Sequence, residues 1–149
     1  MITRRDDSLP LVYSCSGCST AAQMANFIAL RLDREGMAER HCIAAVAADV
    51  PRLLEVARTG RPILALEGCP FKCVTRCLQQ RDIEPDAQVV LSEHGVKKSY
   101  DAQFDEAEAE AMVARLRPIV ARLYSQAAGK PTDGPKLERQ CASSADFRR

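Results

Sequence analysis

The residues of this sequence that are best suited to chemistry by type and spacing are cysteines, which occur in two clusters. Cys15 and Cys18 are separated by two residues, and Cys69, Cys73 and Cys77 recur at four-residue spacing. An α-helix completes a turn in about 3.6 residues, so Cys73 and Cys77 would lie on one helical face, one turn apart. Thiolates suit zinc, which takes four tetrahedral ligands in a structural site. The spacing therefore predicts that the two clusters meet in space and hold a metal ion, with zinc as the first choice.

Other chemistries could use the same thiols. A Cys-x-x-Cys pair at a strand–helix junction is also the arrangement of redox dithiols, and four cysteines can hold an iron–sulfur cluster in place of zinc. Ser16 and Gly17 lack the aromatic and proline context of a thioredoxin-like dithiol. A cysteine-based redox or sulfur-transfer enzyme and an iron–sulfur protein are therefore the alternatives to a zinc-binding protein. No phosphate-binding loop, dinucleotide fingerprint or HExxH motif occurs, so no catalytic residue is predicted.

The remaining candidate ligands have simpler interpretations. Cys42 is expected to pack in the core as part of a strand, and Cys141 is expected to be a free thiol in the tail. His94 could be a spare ligand near the same sheet edge but is better explained as a surface loop residue, and His41 as an ordinary strand residue. Glu67 could orient a ligand or accept an amide hydrogen bond at the start of a helix.

The elements that must position these residues alternate between strand and helix. Apolar runs predict strands over residues 9–14, 41–46, 61–66 and 88–91, and a last helix is predicted over residues 104–124. This alternation predicts a single three-layer α/β domain with a four-stranded parallel sheet, Rossmann-like or flavodoxin-like, in the order 2-1-3-4. The first and third strands are then neighbours. Both cysteine clusters follow the carboxyl ends of these two strands, where such sheets hold ligands.

The cysteine-rich segment itself is predicted to be a turn followed by a helix. Pro70 could occupy the first helical position, and Phe71, Val74 and Leu78 would form an apolar stripe beside the cysteines. The amides at helix N-termini would favour the thiolate form of nearby cysteines. This effect is predicted for three residues, Cys18, Cys69 and Cys73.

Composition and charge limit the class of protein. A chain of 149 residues suits one domain, predicted over residues 9–126 with a flexible start at 1–8 and a disordered tail at 127–149. A net charge of +1, with basic and acidic residues interleaved and 5% aromatic residues, argues against nucleic-acid binding. No apolar stretch is long enough to predict a membrane span or a signal peptide. The default compartment is then a reducing cytoplasm, where clustered cysteines more often bind metal or catalyse than form disulfides. The predicted partner is a metal ion, and protein partners are unknown.

Four segments of the sequence resemble a known family. They read Y-S-C-S-G-C-S, A-L-R-L-D-R-E-G, I-L-A-L-E-G-C-P-F-K-C-V-T-R-C-L and V-V-L-x-x-x-G-V-K-K, within residues 11–104. Together they are similar to the DGC-domain proteins, small bacterial and archaeal proteins that are regarded as zinc-binding and have no assigned reaction. The family is named after an Asp-Gly-Cys motif, and here Glu67 stands at the Asp position. Because a carboxylate is retained, this departure concerns fine geometry more than metal binding.

The resemblance implies a ligand set but supplies no reaction. It implies cysteine ligands at Cys15, Cys18, Cys69 and Cys73, with Cys77 as a further motif cysteine. Which four of these five would bind the ion is left open by the sequence.

Overall fold

The structure, a computed structural model, describes residues 8–128. Its centre is a four-stranded parallel sheet in the order β2–β1–β3–β4, which confirms the predicted fold class and strand order. The strands are β1 (Leu11–Ser14), β2 (Glu39–His41), β3 (Ile63–Glu67) and β4 (Ala87–Val90). The two central strands, β1 and β3, are buried along their whole length, because helices cover both faces of the sheet.

Five α-helices surround the sheet. They are α1 (Thr20–Arg34), α2 (Ile43–Ala47), α3 (Pro51–Ala57), α4 (Cys73–Gln79) and α5 (Glu106–Ala128). A short 3₁₀ turn at Leu91–His94 follows β4. Within residues 8–128, every helix is too short or too polar to cross a bilayer.

Alternating side chains of the central strands divide the core into two layers. Val12, Leu64 and Leu66 face one side and pack against α1 and α5. Leu11, Tyr13, Ile63 and Ala65 face the other side, where they pack against side chains of α2, α3 and α4. The helices therefore lie on both sides of the sheet, in the three layers that the sequence predicts.

The predicted second strand is wrong over most of its length. The sequence predicts a strand over residues 41–46, but β2 ends at His41 and residues Ile43–Ala47 form α2. Alanine is the strongest helix former, and three alanines in this five-residue segment explain the difference. Cys42 is consequently the N-cap residue of α2 and is exposed, so the expectation that it packs in the core is also wrong.

The start of the cysteine-bearing helix differs from the prediction as well. Pro70 and Phe71 lie in a turn, and Lys72 adopts a left-handed conformation with φ of 52° before α4 begins at Cys73. Phe71 is 66% exposed, so it does not belong to the predicted apolar stripe. Val74 and Leu78 are buried as predicted.

Several predictions for the ends of the chain concern residues that the structure does not describe. The predicted flexible start lies outside the described residues except for Ser8, and so does the predicted tail except for residues 127 and 128, which belong to α5. Cys141, predicted to be a free thiol, also lies outside them.

Candidate metal centre

The carboxyl ends of β1 and β3 bring the two cysteine clusters to the same edge of the sheet. Ser14 pairs with Leu66 in the parallel register, and the N–H of Cys15 donates to the carbonyl of Leu66 at 2.9 Å. Cys15 therefore leaves β1 beside the end of β3, two residues before Cys69. The strand order thus places the two clusters at neighbouring strand ends, as the sequence predicts.

Cys73 lies among the other thiols of the cluster. Partial desolvation raises the pKa of its thiol, and the Glu67 carboxylate and the thiolate forms of Cys15, Cys69 and Cys77 would raise this pKa further. Charges shift a pKa in this way when they lie close to the titrating group. Thiols of both clusters therefore lie within electrostatic range of Cys73.

Cys77 has a related environment one helical turn further along α4. Burial raises the pKa of its thiol, Glu67 raises this pKa as well, and the Arg81 guanidinium lowers it. A raised pKa at Cys73 contradicts the prediction that the helix N-terminus favours the thiolate there. Desolvation is the largest cause of this shift, and the amides at the start of α4 bind another negative group.

That group is the carboxylate of Glu67, which is 1% exposed. Its Oε2 accepts a hydrogen bond from the Val74 amide at 3.1 Å, and its Oε1 accepts one from the Thr75 amide at 2.7 Å. Of the two roles that the sequence allows for Glu67, the structure contains the amide acceptor. The carboxylate ties the start of α4, and with it Cys73, to the end of β3.

Gly68 allows the turn after β3 to approach the start of α1. A Cβ atom at this position would lie 2.8 Å from the backbone N of Ala22 and 2.9 Å from the carbonyl carbon of Ala21. The same first turn of α1 is capped by Ser19, whose hydroxyl accepts a hydrogen bond from the Ala22 amide at 3.2 Å. Residues 15–18 and 69–73 are therefore held together through the start of α1.

Substitution Gly68→Ala is expected to lower the free energy of unfolding by about 1–3 kcal/mol, the usual cost of overpacking, because the methyl group would meet backbone rather than a side chain that can move. Gly17→Ala is the matched control: its Cβ would lie 3.4 Å from the Ala22 side chain, an ordinary contact, and we expect a change within about 0.5 kcal/mol. Urea denaturation measures both. Equal stability of the two variants would show that the turn can move away from α1.

Lys98 is a part of the site that reasoning from the sequence missed. Its Nζ donates to the Sγ of Cys69 at 3.6 Å and lies 4.5 Å from the centre of the Phe71 ring and 5.2 Å from that of Tyr100. The pKa of Lys98 is raised, first by its hydrogen bond with Tyr100 and also by Cys69, so its side chain is cationic at neutral pH. Lys98 is the second lysine of the G-V-K-K segment, and that segment was the available signal.

Backbone contacts hold the segment that carries Lys98. The Thr20 hydroxyl donates to the carbonyl of Lys97 at 2.9 Å and accepts from the Ser99 amide at 3.0 Å. The Thr20 amide donates in turn to the carbonyl of Ser99 at 2.8 Å. Because Thr20 is the first residue of α1, one helix start positions both the 15–18 turn and the lysine.

The donor chemistry of the cluster fits zinc, but the thiols are not yet arranged around one point. Within residues 8–128, no three Cys, His, Asp or Glu side chains are close enough together, in their present rotamers, to hold a metal ion. Cys18 and Cys73 are exposed, while Cys15, Cys69 and Cys77 are half-buried. Ligation therefore requires these side chains to rotate toward one another.

The two histidines lie in different surroundings. His94 is exposed on the 3₁₀ turn, in agreement with its interpretation as a surface residue. The Nε2 of His41 lies 3.0 Å from Glu39 Oε1, and Glu39 Oε2 forms an ion pair with Arg61 at 2.8 Å. His41 thus belongs to a buried polar cluster at the edge of the sheet.

Comparison with known proteins gives two matches to the amino-acid sequence. A family model described as the DGC domain matches residues 11–116, a span that includes both cysteine clusters and Lys98. The "Anaerobic and virulence modulator AnvM" of Pseudomonas aeruginosa is 52% identical over 115 residues, which cover 77% of this chain and 88% of that protein. No solved structure gives a significant match.

Proposed function

The chain belongs to the DGC-domain family, and on that premise we propose that it is a metal-binding protein that holds zinc at the carboxyl edge of its sheet. The candidate ligands are the thiolates of Cys15, Cys18, Cys69, Cys73 and Cys77. The observation that carries the proposal is the parallel pairing of β1 with β3, which places the cysteines that follow both strands at one edge of the sheet. Lone buried cysteines of a hydrophobic core would have no reason to gather at one edge.

Zinc would offset the repulsion between the thiolates of the cluster and the Glu67 carboxylate. Burial and Glu67 raise the pKa of Cys73 and Cys77, so these thiols keep their protons in the metal-free protein at neutral pH. Thiols must lose their protons to bind a metal, and the cation compensates the negative charge that they gain. The affinity for zinc should therefore rise with pH. Bound through ligands from both clusters, zinc would connect the ends of β1 and β3.

The biological role that we propose is regulatory. The Pseudomonas aeruginosa relative bears the name of a modulator, and half-buried or exposed thiols are accessible to changes in metal supply or oxidation. A site of this kind suits sensing better than a purely structural zinc would. Comparison of hydrogen exchange in residues 15–18 and 69–77 before and after chelation would test whether metal occupancy changes the conformation there.

One contact favours a second function, a cysteine-based redox or sulfur-transfer enzyme. The Lys98 ammonium lies 3.6 Å from the Cys69 sulfur, and a neighbouring cation stabilises an attacking thiolate. An iron–sulfur cluster would use the same cysteines. Elemental analysis and the visible spectrum of protein purified without added metal separate the three. Zinc supports the first proposal, and iron with visible absorbance supports the cluster. Absence of metal, with a Cys15–Cys18 disulfide that a reductant reversibly converts to two thiols, supports the enzyme.

Substitution Lys98→Gln is expected to speed the release of zinc to a chelator severalfold. A site of zinc and thiolates carries excess negative charge, which the ammonium beside Cys69 offsets. Lys97→Gln is the matched control, because Lys97 contributes its backbone carbonyl, rather than its side chain, to the contact with Thr20. The rate of release, followed with a chromophoric chelator, measures the effect. Identical rates of zinc release in the two variants would show that the Lys98 charge does not stabilise the bound zinc.

A further inference from the structure

An open groove of about 460 Å³ lies beside the 15–18 turn. Its lining includes Ser16 and Gly17 of the turn, the exposed side of α1, Phe104, and Arg40 of β2. Sites for small molecules commonly have volumes of about 300–1,000 Å³, mostly apolar walls and a few polar groups that fix orientation. The groove has the size and composition of such a site, and the thiols are not part of its lining.

Arg40 provides the polar group. Its Nη2 donates to the Asn26 side-chain oxygen at 2.9 Å, while its Nε is buried and has no hydrogen-bond partner. The carboxylate of Asp33 accepts from the backbone amide of Arg40 at 3.1 Å rather than from its guanidinium. Among residues 8–128, no carboxylate forms an ion pair with this guanidinium. Within this part of the chain, the half-buried guanidinium of Arg40 thus has no ion-pair partner.

The walls of the groove are largely apolar. The rings of Phe27 and Phe104 contact each other at a centroid distance of 5.3 Å, and Leu30 lies on the same side of α1. Of the described residues that line the groove, Arg40 alone is cationic. A guanidinium binds a carboxylate through two parallel hydrogen bonds, and the one negative charge of a carboxylate balances the one positive charge of Arg40.

We propose that this groove binds a small organic carboxylate. Arg40 would hold the carboxylate through the donors that Asn26 does not use, and Phe27 and Phe104 would pack against the apolar part of the ligand. The ligand would lie against Gly17, which is between Cys15 and Cys18 in the sequence. Its binding would therefore change the surroundings of the thiol cluster. The inference depends on the groove and its charge, and it stands whether or not the cluster binds zinc.

Phenylacetate, an aromatic carboxylate, is the probe that tests this proposal, and phenylacetamide is its neutral counterpart. Titration of full-length ¹⁵N-labelled protein with phenylacetate should shift the amide signals of Gly17, Asn26 and Phe104 saturably. The unmodified protein should bind phenylacetamide at least about tenfold more weakly than phenylacetate. The Arg40→Gln variant should bind phenylacetate at least about tenfold more weakly than the unmodified protein does. Arg122→Gln, an exposed arginine in the last turns of α5, should bind phenylacetate as the unmodified protein does.

Three results would overturn the proposal. The first is equal affinity for phenylacetate and phenylacetamide. The second is the absence of a shift in the three signals up to about 10 mM phenylacetate, a concentration at which even a weak specific site would be occupied. The third is the same loss of affinity for phenylacetate in Arg122→Gln as in Arg40→Gln. If Arg40→Gln does not fold, the comparison of the two probes on the unmodified protein decides, because it needs no variant. Repeating the titration after chelation shows whether binding is independent of metal.

Discussion

Substitution Cys69→Ser is expected to lower the affinity for zinc by more than about 100-fold, and Cys15→Ser should do the same. Loss of a supporting group around a metal costs about 10–100-fold in affinity, and loss of a ligand should exceed that. The two substitutions test the convergence of the clusters from opposite sides, because Cys15 follows β1 and Cys69 follows β3. Zinc content after purification and competition with a chromophoric chelator measure the effect.

Cys42→Ser is the matched control, because Cys42 is exposed at the N-cap of α2 and lies outside both clusters. It should leave the zinc affinity unchanged. Cys77→Ser identifies the ligand set: it should lower the affinity only if Cys77 completes the site. Retention of one zinc per chain at unchanged affinity in both Cys15→Ser and Cys69→Ser would exclude the proposed site.

Alkylation of the unmodified protein is an independent test of the proposed zinc site. A closed zinc site shields its sulfurs, whereas a redox dithiol needs an exposed attacking thiolate. The ligand cysteines should therefore resist alkylation as purified and react together once a chelator removes the metal. Cys42 is exposed and should react from the start. Reaction of Cys15 and Cys18 at the rate of Cys42 before chelation would favour the enzyme.

The sheet could be predicted from the sequence because its central strands are simple. Ile63–Glu67 is buried at every position, and a short apolar run such as residues 63–66, followed by turn signals, is typical of a parallel strand. The same reasoning failed at Ile43–Ala47, where a short run of apolar residues forms a helix. Periodicity cannot separate strand from helix over five residues, and the high helix propensity of alanine decided the outcome.

The candidate site was predictable only as far as spacing along the chain determines it. Cys73 and Cys77 fall in one helix, as their separation predicts. The exposure of Phe71 and the contact between Lys98 and Cys69 depend on a turn and a loop that are far apart in sequence. The loop is positioned by hydrogen bonds to Thr20, nearly 80 residues earlier. The G-V-K-K segment draws attention to Lys98, but no local pattern in a single sequence encodes its contact with Cys69.

Substitution Glu67→Ala is expected to lower the free energy of unfolding by about 3 kcal/mol. It would leave the buried amides of Val74 and Thr75 without their acceptor, and each unsatisfied buried amide costs about 1–3 kcal/mol. Glu67→Gln keeps the volume and one acceptor oxygen, so about half of that loss is expected. Glu67→Asp restores the residue of the family motif but shortens the reach by one methylene group. Its stability should lie between those of Glu67→Gln and the unmodified protein.

The Glu67→Gln variant also tests the charge of the carboxylate separately from its hydrogen bonds. Glu67 raises the pKa of Cys73 and of Cys77, because a nearby negative charge disfavours the thiolate. Its removal should lower both pKa values, so a larger thiolate fraction is present at any given pH and both cysteines should be alkylated faster at pH 8. Mass spectrometry of the metal-free protein resolves the two sites, with exposed Glu93→Gln as control. Burial remains in the variant, so the pKa of each thiol should fall only part of the way to its ordinary value. If Glu67→Gln and Glu93→Gln are alkylated at the same rate, Glu67 acts on α4 through its hydrogen bonds and not through its charge.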